Sequence, residues 1–269
     1  MFEIDLTGKD RVLTEGHTSK GNQPKWLLGE SWYKADHMGY ETLAEVLTSR
    51  LLARSNVKNY VGYDPVRLRL NDRTLTGCRS RNFRQADEIL VPLERLYRAY
   101  YGQSLSKKLA GIADVEEQIR FTVDFVEETT QLDGFGKYLS TLLELDAFIL
   151  NEDRHTNNIA VLRNEKTGQY RLCPIFDNGL SFLSDLNEYP LNADLYAAIG
   201  KVGAKPFSGD FMVQMEAASA LYGSGLRFDL THQEAGGLLD DLSDCYPDEI
   251  LDRAQSVLLE QMRKFRYLF

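Results

Sequence analysis

The densest concentration of chemistry in the chain is Asn151-Glu152-Asp153-Arg154-His155-Thr156-Asn157-Asn158. It lies between an apolar helical pattern and the first strand of an expected hairpin. Pro174-Ile175-Phe176-Asp177-Asn178-Gly179 follows at the hairpin's far end. The order is Asp-x4-Asn, a hairpin, then an aspartate behind an apolar pair. Phosphoryl transfer uses such parts: one carboxylate beside the attacking hydroxyl, and an amide and a second carboxylate holding Mg²⁺ against nucleotide phosphates. A hairpin brings its ends together, so Asp153, Asn158 and Asp177 can meet. Taken singly, each piece has a plainer reading. Asn, Asp, His and Gly fill polar loops and turns because they satisfy backbone groups locally. Only the joint order raises the segment above a polar loop.

Elements that could position these residues are legible on both sides. Residues 39–52 carry Leu43, Val46, Leu47 and Leu51 at helical spacing, which predicts an amphipathic helix. The aromatic-rich segment 28–34 reads as a strand. Val66, Leu68 and Leu70 alternate with Arg67 and Arg69, the mark of a half-buried strand, and Asn71-Asp72 turns it into a return strand. After about Ala86 the pattern is mostly helical. Val115, Ile119, Val123 and Val126 trace one stripe; Leu139, Leu142, Leu145 and Ile149 trace another, with Gly134 and Gly136 between them. Residues 159–163 and 170–176 flank a polar turn and read as the second hairpin. From Asn192 onward the chain reads as helical again, apart from a Gly/Pro loop at 200–209. No repeat or low-complexity tract is present. The expected fold is α+β: a small α/β lobe over 1–88 and a larger, mainly helical lobe over 89–269, with a cleft between them.

Composition narrows the setting. With 43% hydrophobic and 26% charged residues, the 269-residue chain is ordinary globular material. Acids outnumber bases 40 to 31, and the resulting charge of −9 repels phosphate backbones, so general nucleic-acid binding is not expected. No apolar run approaches the roughly 18 residues that span a bilayer, and no basic amphipathic helix marks a membrane surface. Cys78, Cys173 and Cys245 are scattered and odd in number, which supports neither a disulfide framework nor structural zinc. No second histidine stands at ligand spacing from His155, which disfavours a zinc hydrolase. No secretory leader is visible, so a cytoplasmic setting is expected, with export by another signal left open. Tyr97, Tyr100 and Tyr101 read as a core or lobe-interface cluster on a helix.

Asp153-x4-Asn158 followed by Phe176-Asp177 resembles the catalytic loop and metal-binding aspartate of protein kinases. The order Asp-Arg-His is similar to that of phosphatidylinositol 3- and 4-kinases and of the HipA-like bacterial kinases. Other segments resemble the HipA-like group, including its compact toxins and the CtkA-related kinases. Residues 16–26, GHTSKGNQPKW, resemble its phosphate-side loop. Trp32-Tyr33-Lys34 resembles the strand bearing the ATP-contacting lysine, and Tyr40-Glu41 the start of the helix whose glutamate pairs with it. Residues 77–83 resemble the approach to the hinge.

The resemblance implies a two-lobed protein-kinase-like fold and an ATP- and Mg²⁺-dependent serine/threonine kinase. Asp153 would orient the acceptor hydroxyl, while Asn158 and Asp177 would ligate Mg²⁺. Lys34 would contact the α- and β-phosphates, fixed by Glu41. Glu45, one turn further along the same face, is the alternative partner. Backbone N–H groups of Ser19, Lys20, Gly21 and Asn22 would cover the phosphates. Thr18 or Ser19 would be a site of autophosphorylation. The partners implied are a protein substrate and an antitoxin or a separately encoded N-terminal subdomain. Two departures stand out: Asp177 is followed by Asn178, with the glycine delayed to Gly179, and the 16–26 loop lacks GxGxxG. Rival readings are a small-molecule or lipid kinase, and a catalytically silent nucleotide-binding interaction module.

Overall fold

The structure, a computed structural model, describes residues 2–12 and 23–269. In chain order the elements are β1 (Phe2–Asp5), β2 (Lys25–Leu28), β3 (Ser31–Ala35), α1 (Glu41–Ala53), β4 (Asp64–Leu70), β5 (Arg73–Arg81), β6 (Glu88–Pro92), α2 (Leu93–Tyr101), α3 (Leu105–Ala110), α4 (Val115–Thr130), α5 (Phe135–Ile149), β7 (Ala160–Asn164), β8 (Tyr170–Leu172), α6 (Leu195–Lys201), α7 (Phe211–Tyr222), α8 (His232–Gly236) and α9 (Asp248–Lys264). They gather into two compact units. The first takes Met1–Asn82, Asp177–Val202 and Arg227–Phe269; the second takes Phe83–Phe176 and Gly203–Leu226. The sequence-expected lobes are contiguous, whereas packing returns 177–202 and 227–269 to the N-terminal residues.

The first unit is built on a five-stranded sheet ordered β1-β4-β5-β3-β2, with only the β1–β4 pair parallel. The 66–70 alternation does what its period requires: Val66 and Leu68 join Leu6, Trp26, Tyr33 and Ala35 in one apolar cluster, while Arg67 and Arg69 face outward. Asn71, at φ 54°, makes the tight turn to β5. The single strand expected over 28–34 is instead the β2–β3 hairpin. Gly29, at φ 56°, reverses the chain there, and Lys25 is brought opposite Lys34.

Helix α1 lies against β3, β4 and β5, and Leu43, Ala44, Val46, Leu47, Leu51 and Leu52 are buried. Its N-terminus is closed by carboxylates rather than by a capping hydroxyl. Glu41 folds back to accept from the backbone N–H groups of His37, Met38 and Gly39 at 3.2, 2.7 and 3.1 Å. Asp36 accepts from Thr42 N at 2.7 Å and from the Tyr246 hydroxyl at 2.8 Å. Negative charge at this helix end suits the macrodipole.

Burial nevertheless pushes the Asp36 carboxyl up to about 7, against the pull of its Thr42 and Tyr246 hydrogen bonds and with a push from Glu41. Because the folded state holds this proton more tightly than the unfolded chain, the stability Asp36 contributes is complete below pH ~4. It falls as pH rises toward ~7 and is constant beyond. Urea denaturation of wild type and Asp36→Asn at pH 4.5, 6 and 7.5 should show the variant gaining relative to wild type across that interval. A pH-independent difference would refute the assignment.

The second unit carries the three-stranded sheet β6-β7-β8. Helices α4, α5 and α7 pack together. The helical pattern expected from about residue 86 is interrupted by β6. Ile89-Leu90-Val91 is a short apolar run ended by Pro92, which precedes α2 and pairs with Ala160. A short apolar run has no period that separates strand from helix, so pairing with β7 decides it. Helix α5 ends at Leu150 in the left-handed region, φ 58°, and releases the chain into the 151–158 segment. Among the described residues no helix is long and apolar enough to cross a membrane.

Candidate functional site

Within the first unit, β3 carries Lys34 and α1 carries Glu45, and the two side chains form a buried ion pair. Lys34 Nζ also donates to Asp177 Oδ1 at 2.8 Å and lies 5.3 Å from the Tyr63 ring centre. Burial opposes the charge on Lys34, but Asp177 and Glu45 outweigh it and hold its pKa well above the ordinary lysine value. The second oxygen of Glu45 accepts from the backbone N–H of Asn178 at 2.9 Å. Glu45 thus fixes both the ammonium and the peptide following Asp177. That peptide needs fixing: Asp177 sits at φ 58°, a region a side-chain-bearing residue seldom enters.

Gly77 keeps β5 close beneath Lys34. A Cβ there would stand 2.5 Å from the Lys34 carbonyl oxygen and 2.5 Å from Leu68 Cδ1. Lys25 Nζ lies 3.9 Å from Asp177 Oδ1, so a second ammonium faces the same carboxylate. Sequence reading missed Lys25, although it stands in the quoted 16–26 segment; its register opposite Lys34 depends on the Gly29 turn.

Glu41, the expected partner of Lys34, is corrected by this geometry: it is spent on the start of α1, and Glu45 takes the ammonium. The reason is helical phase and reach. Residue 41 is in the first turn, where unpaired N–H groups compete for its carboxylate, whereas residue 45 is one turn deeper beside β3. Thr18, Ser19, Lys20, Gly21 and Asn22 lie outside the described residues.

Within the second unit, the 151–158 segment is built around a buried ion pair. Arg154 Nε donates to both Asp146 oxygens at 3.2 and 2.9 Å, and Nη2 donates to Oδ1 at 3.0 Å. Arg154 is 1% exposed and Asp146 0%. Burial pushes the Asp146 carboxyl up and Arg154 pulls it back. Arg154 Nη1 then donates to the carbonyls of Asn158 and Phe176 at 3.1 and 2.9 Å. Asn151 extends the network, donating to Asp146 at 2.9 Å and accepting from Asp153 N at 3.1 Å. Thr156 is tied to Glu94 of α2 at 3.0 Å.

These bonds fix the loop at several points, and Asp153 stands among them with its side chain 13% exposed. Asn158 Nδ2 donates to the Asp153 carbonyl at 2.9 Å and to its Oδ2 at 3.3 Å, so the two predicted residues are in contact. Lys205 Nζ reaches Asp153 Oδ1 at 3.2 Å. His155 Nε2 is 3.7 Å from Oδ2, and neither ring nitrogen has a hydrogen-bond partner among the described residues. The structure therefore brings together Lys34 with Asp177, and Asp153 with Asn158. Asp146 and Lys205 escaped sequence reading, and Arg154 was quoted there without a role. The Asp146–Arg154 and Lys205–Asp153 contacts join residues 8 and 52 apart, and no side-chain periodicity exposes either.

Each candidate metal ligand, taken within its own unit, is of a kind that suits Mg²⁺. The Asn158 amide nitrogen is turned to Asp153, which leaves its oxygen accepting nothing among the described residues. An amide oxygen and the Asp177 carboxylate are hard oxygen donors of the kind Mg²⁺ takes alongside phosphates. Among the described residues no three His, Cys, Asp or Glu side chains gather as a metal cage.

No protein-family model matches the chain, and no curated protein matches it either. A solved structure does: the crystal structure of a Helicobacter pylori proinflammatory kinase, CtkA. It has a TM-score of 0.64 and 13% identity, over 97% of this chain and 94% of that one. The chain has a mixed α+β, two-lobed kinase-like fold.

Proposed function

We propose that the chain is an ATP- and Mg²⁺-dependent protein serine/threonine kinase of HipA-like type. The observation that carries this reading is the Lys34 ammonium held between Glu45 and Asp177 in a kinase-like fold. A buried lysine bonded to two carboxylates is costly to assemble for stability alone, since apolar replacements pack as well. It is useful where phosphates and a metal must be held.

Lys34 would contact the α- and β-phosphates, kept charged and aimed by Glu45. Asp177 and Asn158 would hold Mg²⁺, which would neutralise phosphate charge. Asp153, braced by Asn158, would accept a hydrogen bond from the acceptor hydroxyl and orient its oxygen. Catalysis would come from positioning and fixed charge, as the charge of a transferring phosphoryl group is spread over its peripheral oxygens. A protein acceptor, rather than a small molecule or lipid, follows the likeness to HipA-like kinases.

Purified protein incubated with γ-labelled ATP, Mg²⁺ and a cell lysate should transfer label to protein serine or threonine. Asp153→Ala should lower the rate by about 10²-fold or more, the usual worth of a positioned acid–base group. Phosphopeptide mapping of the products would show whether Thr18 or Ser19 is among the acceptors. Transfer to a metabolite or lipid alone would select the small-molecule reading. Nucleotide-dependent thermal stabilisation without any transfer would select the silent module.

A further inference from the structure

The Lys205–Asp153 contact joins residues 52 apart in sequence, and its surroundings are unlike those of an ordinary surface ion pair. Such pairs usually hold together two mobile side chains and contribute little. Here the backbone under Lys205 is locked. Gln214 of α7, 0% exposed, donates through Nε2 to the Lys205 carbonyl at 3.0 Å. Its Oε1 accepts from Phe207 N and Ser208 N at 3.3 and 3.4 Å. Ala204 N closes the same loop on Gly209 O at 2.9 Å. Ala204 and Phe207 are buried, so the loop is anchored on both sides of the lysine. A fully buried amide spent on one loop is the support expected beneath a side chain whose position matters.

Charge gives the second argument. The only fixed cation in the 151–158 segment is Arg154, and its guanidinium points inward to Asp146 and to the Asn158 and Phe176 carbonyls. The segment therefore offers no guanidinium or ammonium of its own beside Asp153. Lys205 supplies one from a different part of the chain. An ammonium has three donors, so one bond to Asp153 leaves others for phosphate oxygens.

We propose that Lys205 is a further catalytic residue, whose ammonium contacts the phosphoryl group as it passes to the hydroxyl at Asp153. This rests on the kinase reading above. In the step, the bond from the terminal phosphorus to the ADP oxygen breaks and a bond from phosphorus to the acceptor oxygen forms. The acceptor proton leaves by way of Asp153 or water. Lys205 neither gains nor loses a proton; it stabilises negative charge on the peripheral oxygens.

The test compares wild type, Lys205→Ala and Lys205→Arg by thermal shift with ADP–Mg²⁺, with and without aluminium fluoride, which imitates the phosphoryl group in transfer. Steady-state phosphorylation is measured alongside. Lys205→Ala should melt like wild type without ligand and keep the ADP–Mg²⁺ stabilisation, but lose the fluoride increment. Its kcat should fall by about 10²-fold, the usual loss on removing one charge-stabilising donor, with KM for ATP unchanged. Lys205→Arg should recover a large part of both. A fluoride increment and kcat that survive in Lys205→Ala, or a wild type without the increment, would overturn the role of Lys205 while the kinase reading stands. A wild type that ADP–Mg²⁺ does not stabilise would overturn the kinase reading, and the role of Lys205 with it.

Discussion

Asp177→Asn should abolish phosphoryl transfer, by about 10³-fold or more, while leaving the melting temperature close to that of wild type. The size follows from what the substitution removes. Asn keeps the shape and a hydrogen-bonding oxygen but no charge, so it can neither compensate a divalent cation nor balance the ammonium beside it. The fold should survive for three reasons. Lys34 retains its ion pair with Glu45, so no buried charge is left alone. The Asp177 side chain is 25% exposed, so the change is not made in a closed core. Asparagine also tolerates the left-handed backbone at φ 58°, where alanine would add about 1–2 kcal/mol of strain. The measurement is kcat and melting temperature on the same preparation. A folded Asp177→Asn protein with undiminished turnover would remove Asp177, and the metal role with it, from the account.

Arg154→Leu should cost about 3–5 kcal/mol of stability, because it leaves the Asp146 carboxylate buried without its cation. Among the described residues Asp146 retains only the Asn151 amide, and the Asn158 and Phe176 carbonyls lose the Arg154 donor. The double variant Asp146→Leu/Arg154→Leu should recover most of the loss, since a buried ion pair replaced on both sides by apolar groups is often near neutral. Activity should not return. Without Arg154 the hydrogen bond from the 151–158 segment to the carbonyl immediately before Asp177 is lost. Urea denaturation gives the stabilities, and the kinase assay separates scaffold from site. A single variant within about 1 kcal/mol of wild type would mean that the pair is dispensable, against the burial argument.

Local pattern was enough for the elements that present a single buried face. Helices α1, α4 and α5 and the β4–β5 hairpin follow from apolar spacing at periods near 3.6 and 2, because that spacing states which side meets the core. The strand β6 and the reversal at Gly29 were not legible. A three-residue apolar run and an isolated glycine acquire meaning only from the strands that pair with them. In the site, residue types and order singled out Asp153, Asn158 and Asp177, since a side-chain chemistry and its spacing along a loop are written in the chain itself; Lys34 came only from the resemblance of Trp32-Tyr33-Lys34 to a kinase strand.

Partnership was decided elsewhere. Whether Glu41 or Glu45 takes Lys34 depends on which carboxylate the open end of α1 claims first. Whether Arg154 faces solvent or Asp146 depends on how α5 lies against the loop that follows it. That Lys205 reaches Asp153 depends on a loop held by a buried glutamine nine residues closer to the C-terminus, about one turn into α7. The sequence by itself determined which groups are available to do chemistry. Only the tertiary structure decided which charges meet. An ion pair needs two groups within a few ångströms, and across 50 or 140 residues of chain that distance is set by packing, not by spacing.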